Sequence, residues 1–143
     1  MLKLVFIIIN LIGFWDKSQN SSTNRSYLVT RVIDGDTFEI EDGRIIRMIG
    51  INTPELPGQY YSHQAKSRLN NLINLKRVKI EFDGQGRYGR ELGYVYVNGK
   101  SVNEQMIKSG HAVSYRKYPH EKTKKYNKIE DKAKRKKRGI WNR

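Results

Sequence analysis

The chain contains no cysteine, which removes a disulfide framework, a thiolate zinc site and lipid attachment through a cysteine thiol. This absence neither favours nor opposes export. Histidine is scarce: His63, His111 and His120 fall at no metal-ligand spacing and have no nucleophile or oxyanion hole beside them. They read as ordinary surface or core residues. Acidic residues number 14 against 28 Lys and Arg, a formal net charge of +14. Such a chain attracts polyanions, with on-rates that fall as salt rises. Nucleic acid is the first candidate partner, and an anionic membrane or cell wall the second. The excess is uneven, since Lys108 to Arg143 holds 14 Lys or Arg against Glu121, Glu130 and Asp131, a net of +11.

Long apolar runs are also missing. The longest, Leu4 to Trp15, is interrupted by Asn10 and Gly13 and is too short for an ordinary spanning helix. Following Lys3, it fits the apolar region of a secretory signal, with an uncleaved anchor or an internal element as the other readings. No small-x-small pair marks a cleavage point. Residues 1–22 are therefore expected to be a signal peptide or hydrophobic leader with part of a polar spacer that runs from Asp16 to Ser26. The protein is expected to be exported, secreted or periplasmic, or held at a membrane if the leader is kept. What remains, residues 27–143, has room for one modest core and one domain.

Within that domain, Tyr27 to Ile33 is β-branched and aromatic, Asp34-Gly35 signals a tight turn, and Thr37 to Glu41 alternates apolar with polar. Asp42-Gly43 is a second hairpin signal, and RIIRMIGIN (44–52) continues as a third strand. Pro54 and Pro57-Gly58 break the chain before a helical pattern with Ala65, Leu69, Leu72 and Ile73 on one face. Val78, Ile80 and Phe82 alternate in a fourth strand. A glycine-rich connection then leads to a fifth with Leu92, Tyr94 and Tyr96. SVNEQMIKSG (101–110) reads as a short helix with Ser101 as N-cap, Glu104 completing a capping box and Gly110 as its stop. A last helix, Glu121 to Lys137, turns Tyr126, Ile129 and Ala133 inward, and Trp141 tucks against the body. The fold class is α+β, and the strand plan is that of a five-stranded OB-type barrel with three helices.

Charges interrupt this β sequence at turn-like positions: Asp34, Asp36, Arg47, Glu55 and Arg90. Asp36 either caps a hairpin turn or stands at a barrel mouth. Arg47 lies among apolar neighbours, where an unpaired guanidinium is costly to bury. It must reach solvent, find a carboxylate or await an anionic ligand. Glu55 follows Pro54 as a solvated loop carboxylate or a catalytic one, and Arg87, Tyr88 and Arg90 form a basic, aromatic loop. Carboxylates can hold a hard cation and arginines can clamp a phosphate. The basic run KAKRKKRG (132–139) reads as the solvated face of the last helix, raising the local concentration of nucleic acid.

The strings VIDGDTFEI (32–40), RMIGINTPE (47–55) and RYGRELGYVYVNGKSVNE (87–104), in that order, resemble the staphylococcal nuclease family from Tyr27 to Trp141. The resemblance implies an OB-fold nuclease that requires Ca2+, in which Asp36, Asn52 and the Thr53 carbonyl hold the cation. It implies Arg47 and Arg90 as the phosphate-binding arginines and Glu55 as the residue that activates or positions water. Arg87 and Tyr88 would contact the substrate near its phosphate, and Tyr115 and Tyr118 lie where the family stacks tyrosines on base and sugar, although core packing fits either of these two equally well. One departure stands out: Asn52 replaces the family's aspartate, removing a negative charge and predicting weaker metal binding. The expected reaction is hydrolysis of DNA and RNA, preferentially single-stranded or frayed, leaving 3′-phosphate ends, by a monomer. A non-catalytic nucleic-acid-binding module is the rival, but a mere binder has no need of both arginines and Glu55.

Overall fold

A computed structural model describes residues 24–55 and 57–143; the expected leader and most of the spacer lie outside them. Alternation of apolar residues builds five principal strands, β1 (Ser26–Val32), β2 (Thr37–Ile40), β3 (Ile45–Met48), β5 (Arg77–Gln85) and β6 (Glu91–Val97). They pair antiparallel in the order β3-β2-β1-β5-β6, and a parallel pairing of β3 with β6, Arg47 opposite Leu92, closes the barrel. Three helices pack around it: α1 (Ser62–Ile73), α2 (Val102–Lys108) and α3 (Thr123–Arg135). This is the five-stranded OB-type barrel with three helices. Among the described residues no helix is long and apolar enough to cross a membrane.

The core is filled by the inward positions of the strands, such as Val29, Phe38, Ile40, Ile46 and Val95, and by Leu69, Ile73, Met106, Ile107 and Tyr126 from the helices. Each large apolar side chain fully buried contributes about 1.5–3 kcal/mol, enough in aggregate to carry the cost of polar groups buried at the barrel mouth. Helix α1 buries Ala65, Leu69 and Ile73, with Leu72 half-buried beside them. Helix α2 begins as expected, Ser101 Oγ accepting the Glu104 N–H at 3.1 Å. The Glu104 carboxylate itself is engaged by Lys125 Nζ at 2.7 Å. Helix α3 is shorter at both ends than the expected Glu121 to Lys137 and buries Glu130 along with Tyr126 and Ala133. That carboxylate is held by Arg116 Nη2 at 2.9 Å.

The expected third strand breaks in two. Gly50 takes a φ of +74°, a left-handed conformation that ends β3, and Ile51–Asn52 forms β4. β4 leaves the barrel sheet to pair with β8 (Val113–Ser114), Ile51 opposite Ser114; between them in sequence, β7 (Lys100–Ser101) pairs with β6. Asp34-Gly35 likewise does not make a tight turn. Val32 pairs with Phe38 and residues 33–36 form a four-residue hairpin loop, closed by the Ile33 and Asp34 N–H groups, which donate to the Thr37 carbonyl at 2.9 and 3.2 Å; within it Asp34 Oδ1 accepts the Asp36 N–H at 3.0 Å. Gly35 serves there by its size, since a Cβ would fall 2.7 Å from Thr53 Oγ1 and 2.8 Å from Ala65 Cβ. Together the glycine and the break after β3 bring the Asp36 loop against the segment carrying Asn52, Thr53 and Glu55.

Candidate active site

Asp36 is fully buried at the start of β2. Its Oδ1 accepts from Thr37 Oγ1 at 2.9 Å, and its Oδ2 accepts both the backbone N–H and the hydroxyl of Thr53 at 3.1 Å. Arg47 answers the question that its apolar surroundings pose by finding that carboxylate, with Nη2 3.2 Å from Asp36 Oδ2. Nη2 also donates to Asn52 Oδ1 at 3.2 Å, while Nη1 donates to the carbonyls of Met48 at 2.6 Å and Ile51 at 2.9 Å. Arg47 is 9% exposed, and its guanidinium is thus fixed by charge-assisted bonds before any ligand arrives. Burial pushes the Asp36 carboxyl up to about 7; Arg47 pulls against this and the neighbouring Asp34 adds to it.

A carboxylate oxygen from each of Asp34, Asp36 and Glu55 lies within 4.8 Å of the others. Three carboxylates make an all-oxygen donor set suited to a hard divalent cation, with Asn52 and Thr53 on the segment that packs against Asp36. Mutual repulsion among the acids is the force that such a cation relieves. Asp34 is the member that sequence reasoning left out of the metal set. Its signal was the Asp-x-Asp spacing, which a turn explains equally well.

Beside this group opens a cleft of about 1370 Å³. Arg47, Asn52, Thr53 and Glu55 line it from β3, β4 and the loop beyond, Arg87, Tyr88 and Arg90 from the loop between β5 and β6, and Tyr115 and Tyr118 from the segment after β8. Every site residue expected from the sequence is therefore brought to one place, with Asp36 just behind the wall. The loop arginine is held by its own turn: Arg90 Nε donates to the Arg87 carbonyl at 3.0 Å, and its guanidinium stands 5.6 Å from the Tyr88 ring. Tyr88 is 91% exposed, with its ring free to meet a planar partner. Neither Tyr115 nor Tyr118 packs into the core. Their rings meet edge-on at 5.6 Å on the cleft wall. Glu55 is exposed, its backbone N–H donating to Gln59 Oε1 at 3.0 Å.

His120 also reaches the cleft. Its Nδ1 accepts the Lys122 N–H at 3.3 Å and lies 2.9 Å from the Tyr94 hydroxyl, an arrangement that suits the neutral ring with its proton on Nε2. Burial holds its pKa below the ordinary histidine value.

Chemically, the cleft combines oxygen donors for a cation, a rigid arginine that supplies fixed positive charge, a loop-borne arginine whose fork matches the oxygens of a phosphate, a carboxylate at the solvent edge and exposed aromatic faces. A family model described as staphylococcal nuclease homologue matches residues 45–143. The thermonuclease of Staphylococcus intermedius is 34% identical, over 98% of this chain and 90% of that protein. The thermonuclease of Staphylococcus hyicus is 33% identical, over 85% of this chain and 79% of its own length. An uncharacterized endonuclease of Escherichia coli O157:H7 is 35% identical, over 79% and 74%. The chain belongs to the staphylococcal nuclease family of phosphodiester hydrolases.

Proposed function

We propose that this nuclease uses Ca2+ to hydrolyse DNA and RNA, with a preference for single-stranded or frayed segments, and leaves 3′-phosphate ends. The observation that carries the reading is the convergence of Arg47, Glu55 and Arg90 on one cleft beside the Asp34, Asp36 and Glu55 oxygens. Asp36, the Asn52 amide oxygen and the Thr53 carbonyl would hold the cation, with Asp34 adding a further carboxylate. When bound, Ca2+ would neutralise a non-bridging phosphate oxygen and serve as Lewis acid and template.

Glu55, at the solvent edge, accepts a proton from the attacking water or orients it for in-line approach to phosphorus. Arg47 meets the phosphate from a fixed position, its Nη atoms tied to the backbone and to Asp36, so little ordering is required of it in the transition state. Arg90 approaches from the loop and balances the additional charge that develops as the fifth oxygen adds. The leaving 5′ oxygen departs opposite the water. Tyr88, Tyr115 and Tyr118 offer π faces to bases, contacts that every base can make, while Arg87 adds charge near the backbone. Recognition by phosphate and stacking favours splayed strands and little sequence preference. We further propose export through the N-terminal leader and action as a monomer over residues 27–143.

Cleavage of end-labelled single-stranded DNA and of RNA by the full chain, in Ca2+ and in chelator, tests this reading. Calcium-dependent products whose 3′ ends respond to a phosphatase, abolished in Arg90→Ala, are expected. Retained binding without cleavage at any Ca2+ level would make the chain a non-catalytic module.

A further inference from the structure

Helices α2 and α3 end at the same place. The N–H of Ile140 donates to the Gly110 carbonyl at 2.9 Å, and Arg138 Nη1 donates to the Lys108 carbonyl at 3.2 Å. This seam sets the C-terminal turn against the end of α2. It gathers Lys108 from α2, Lys132 from α3, and Lys136 and Arg138 from the turn that follows. None of the four lines the cleft, although Ile140 of the same seam does, so the cations lie beside the cleft and not within it. We infer that these four cations form a second nucleic-acid-binding surface, separate from the cleft, which grips the phosphate backbone of a long strand while the cleft cuts elsewhere along it.

Helix capping does not account for so much charge. A helix C-terminus carries roughly −0.5 of an elementary charge, so two of them offset about one of the four cations. The acids of the two helices are mostly committed to other partners. Glu130 is buried against Arg116 and Lys134, and Glu104 is paired with Lys125, which leaves Asp131 to offset one more. Roughly two positive charges remain over. The crowding is felt at Lys136, whose pKa is lowered by Arg138 first and then by Lys132 and Lys108. Lys132 and Lys136 are also like charges at i,i+4, a pairing that costs a helix a few tenths of a kcal/mol. A concentration of charge that stability does not reward is the form of a surface waiting for a polyanion. Nucleic acid suits it better than a membrane, because the exposed large apolar residues among those described, Tyr60, Leu75, Tyr88 and Tyr118, all lie on other segments, leaving no apolar face to enter a bilayer.

The proposal extends the nuclease reading but is tested without turnover. Binding of a labelled single strand of about 40 nucleotides is followed by anisotropy in chelator across a range of KCl, for the full chain and for Lys108→Gln/Lys132→Gln/Lys136→Gln/Arg138→Gln. A companion variant, Lys132→Gln/Lys136→Gln, keeps the Arg138 bond and the seam intact. Each lost phosphate contact should reduce the slope of log K against log salt by about 0.7, hence by roughly 3 in the quadruple and 1.4 in the double variant. The quadruple variant should bind at least tenfold more weakly at low salt. In Ca2+, kcat/KM on a dinucleotide should stay at the parent value in both variants. Unchanged slopes and affinity on the long strand would overturn the proposal. So would an equal loss on the dinucleotide, which would assign the charges to the cleft. Failure to cleave, with the slope difference intact, would count against the nuclease reading alone.

Discussion

Replacing Asn52 by aspartate adds a charge to the acidic group without changing its shape. Asn52 Oδ1 and Asp36 Oδ2 each lie 3.2 Å from Arg47 Nη2, so the new carboxylate inherits an existing partner. A divalent cation ligated by the new side chain would stand about 3 Å from its charge centre, for which Coulomb's law gives roughly 2.8 kcal/mol in water and roughly four times that at an effective dielectric of 20, with the Arg47 guanidinium competing for the same carboxylate. The neighbouring guanidinium and the open cleft favour the lower figure. The expected gain is about 1–2 kcal/mol, or roughly 5- to 30-fold in Kd. Calorimetric titration of Ca2+ at fixed ionic strength measures it, and urea unfolding in chelator establishes that the variant remains folded. An unchanged or weaker affinity in a folded variant would refute the placement of Asn52 beside the cation.

Arg90→Ala should lower single-turnover cleavage by at least about 10²-fold, the scale for removing one transition-state donor. It should shift stability by no more than about 0.5 kcal/mol, because Arg90 bonds within its own loop; a large loss of stability would contradict this. Arg47→Met should destabilise by about 1–3 kcal/mol, because the Met48 and Ile51 carbonyls lose their donor while Asp36, already pushed up to about 7, takes up a proton instead of keeping an unpaired charge. Adding Asp36→Asn should recover part of that loss, and strict additivity in a double-mutant cycle would refute the pairing. His120 has a folded pKa below its ordinary 6.5, so its contribution to stability is present above that value and is lost as pH falls through the folded one. Asp36, raised to about 7, acts in the opposite sense over the same range, so the expected effect is a difference: His120→Gln should lose less urea stability than the parent between about pH 7.5 and about pH 5, and parallel pH profiles would show that His120 contributes none of the change.

Much of the barrel was legible because its strands and helices bury one face each, and burial imposes a period that sequence carries directly. Val78, Ile80 and Phe82, or Ala65, Leu69 and Ile73, needed no tertiary information to be placed. The break at Gly50 was hidden because Ile49 and Ile51 preserve alternation across it, and because β4 owes its existence to β8, more than 60 residues away in sequence. The Asp34-Gly35 signal marked the β1–β2 connection but not its form, because the loop is shaped by what packs on it: Gly35's lack of a Cβ admits Thr53 and Ala65. In the site, residue types and order pointed to the chemistry, but partners did not. Only packing could decide that Arg47 turns to Asp36, that Asp34 joins the carboxylates, or that Tyr115 and Tyr118 both face the cleft.

The division between what strands hold and what loops hold has a functional consequence. Arg47 sits on β3, its Nη atoms tied to two carbonyls, an amide and a carboxylate, so the conformational cost of ordering it is met during folding and not again at each encounter with substrate. Arg90 and Tyr88 ride on an exposed loop whose internal bond to Arg87 is its tether, and they must be ordered by the strand they engage. On the proposed reading, one charge-stabilising arginine is fixed by the barrel, while the other and the Tyr88 ring are left to a loop that can settle differently on different nucleotides. A nuclease acting as proposed would gain from that arrangement, with a fixed arginine on one side of the phosphate and tolerance where the bases would lie.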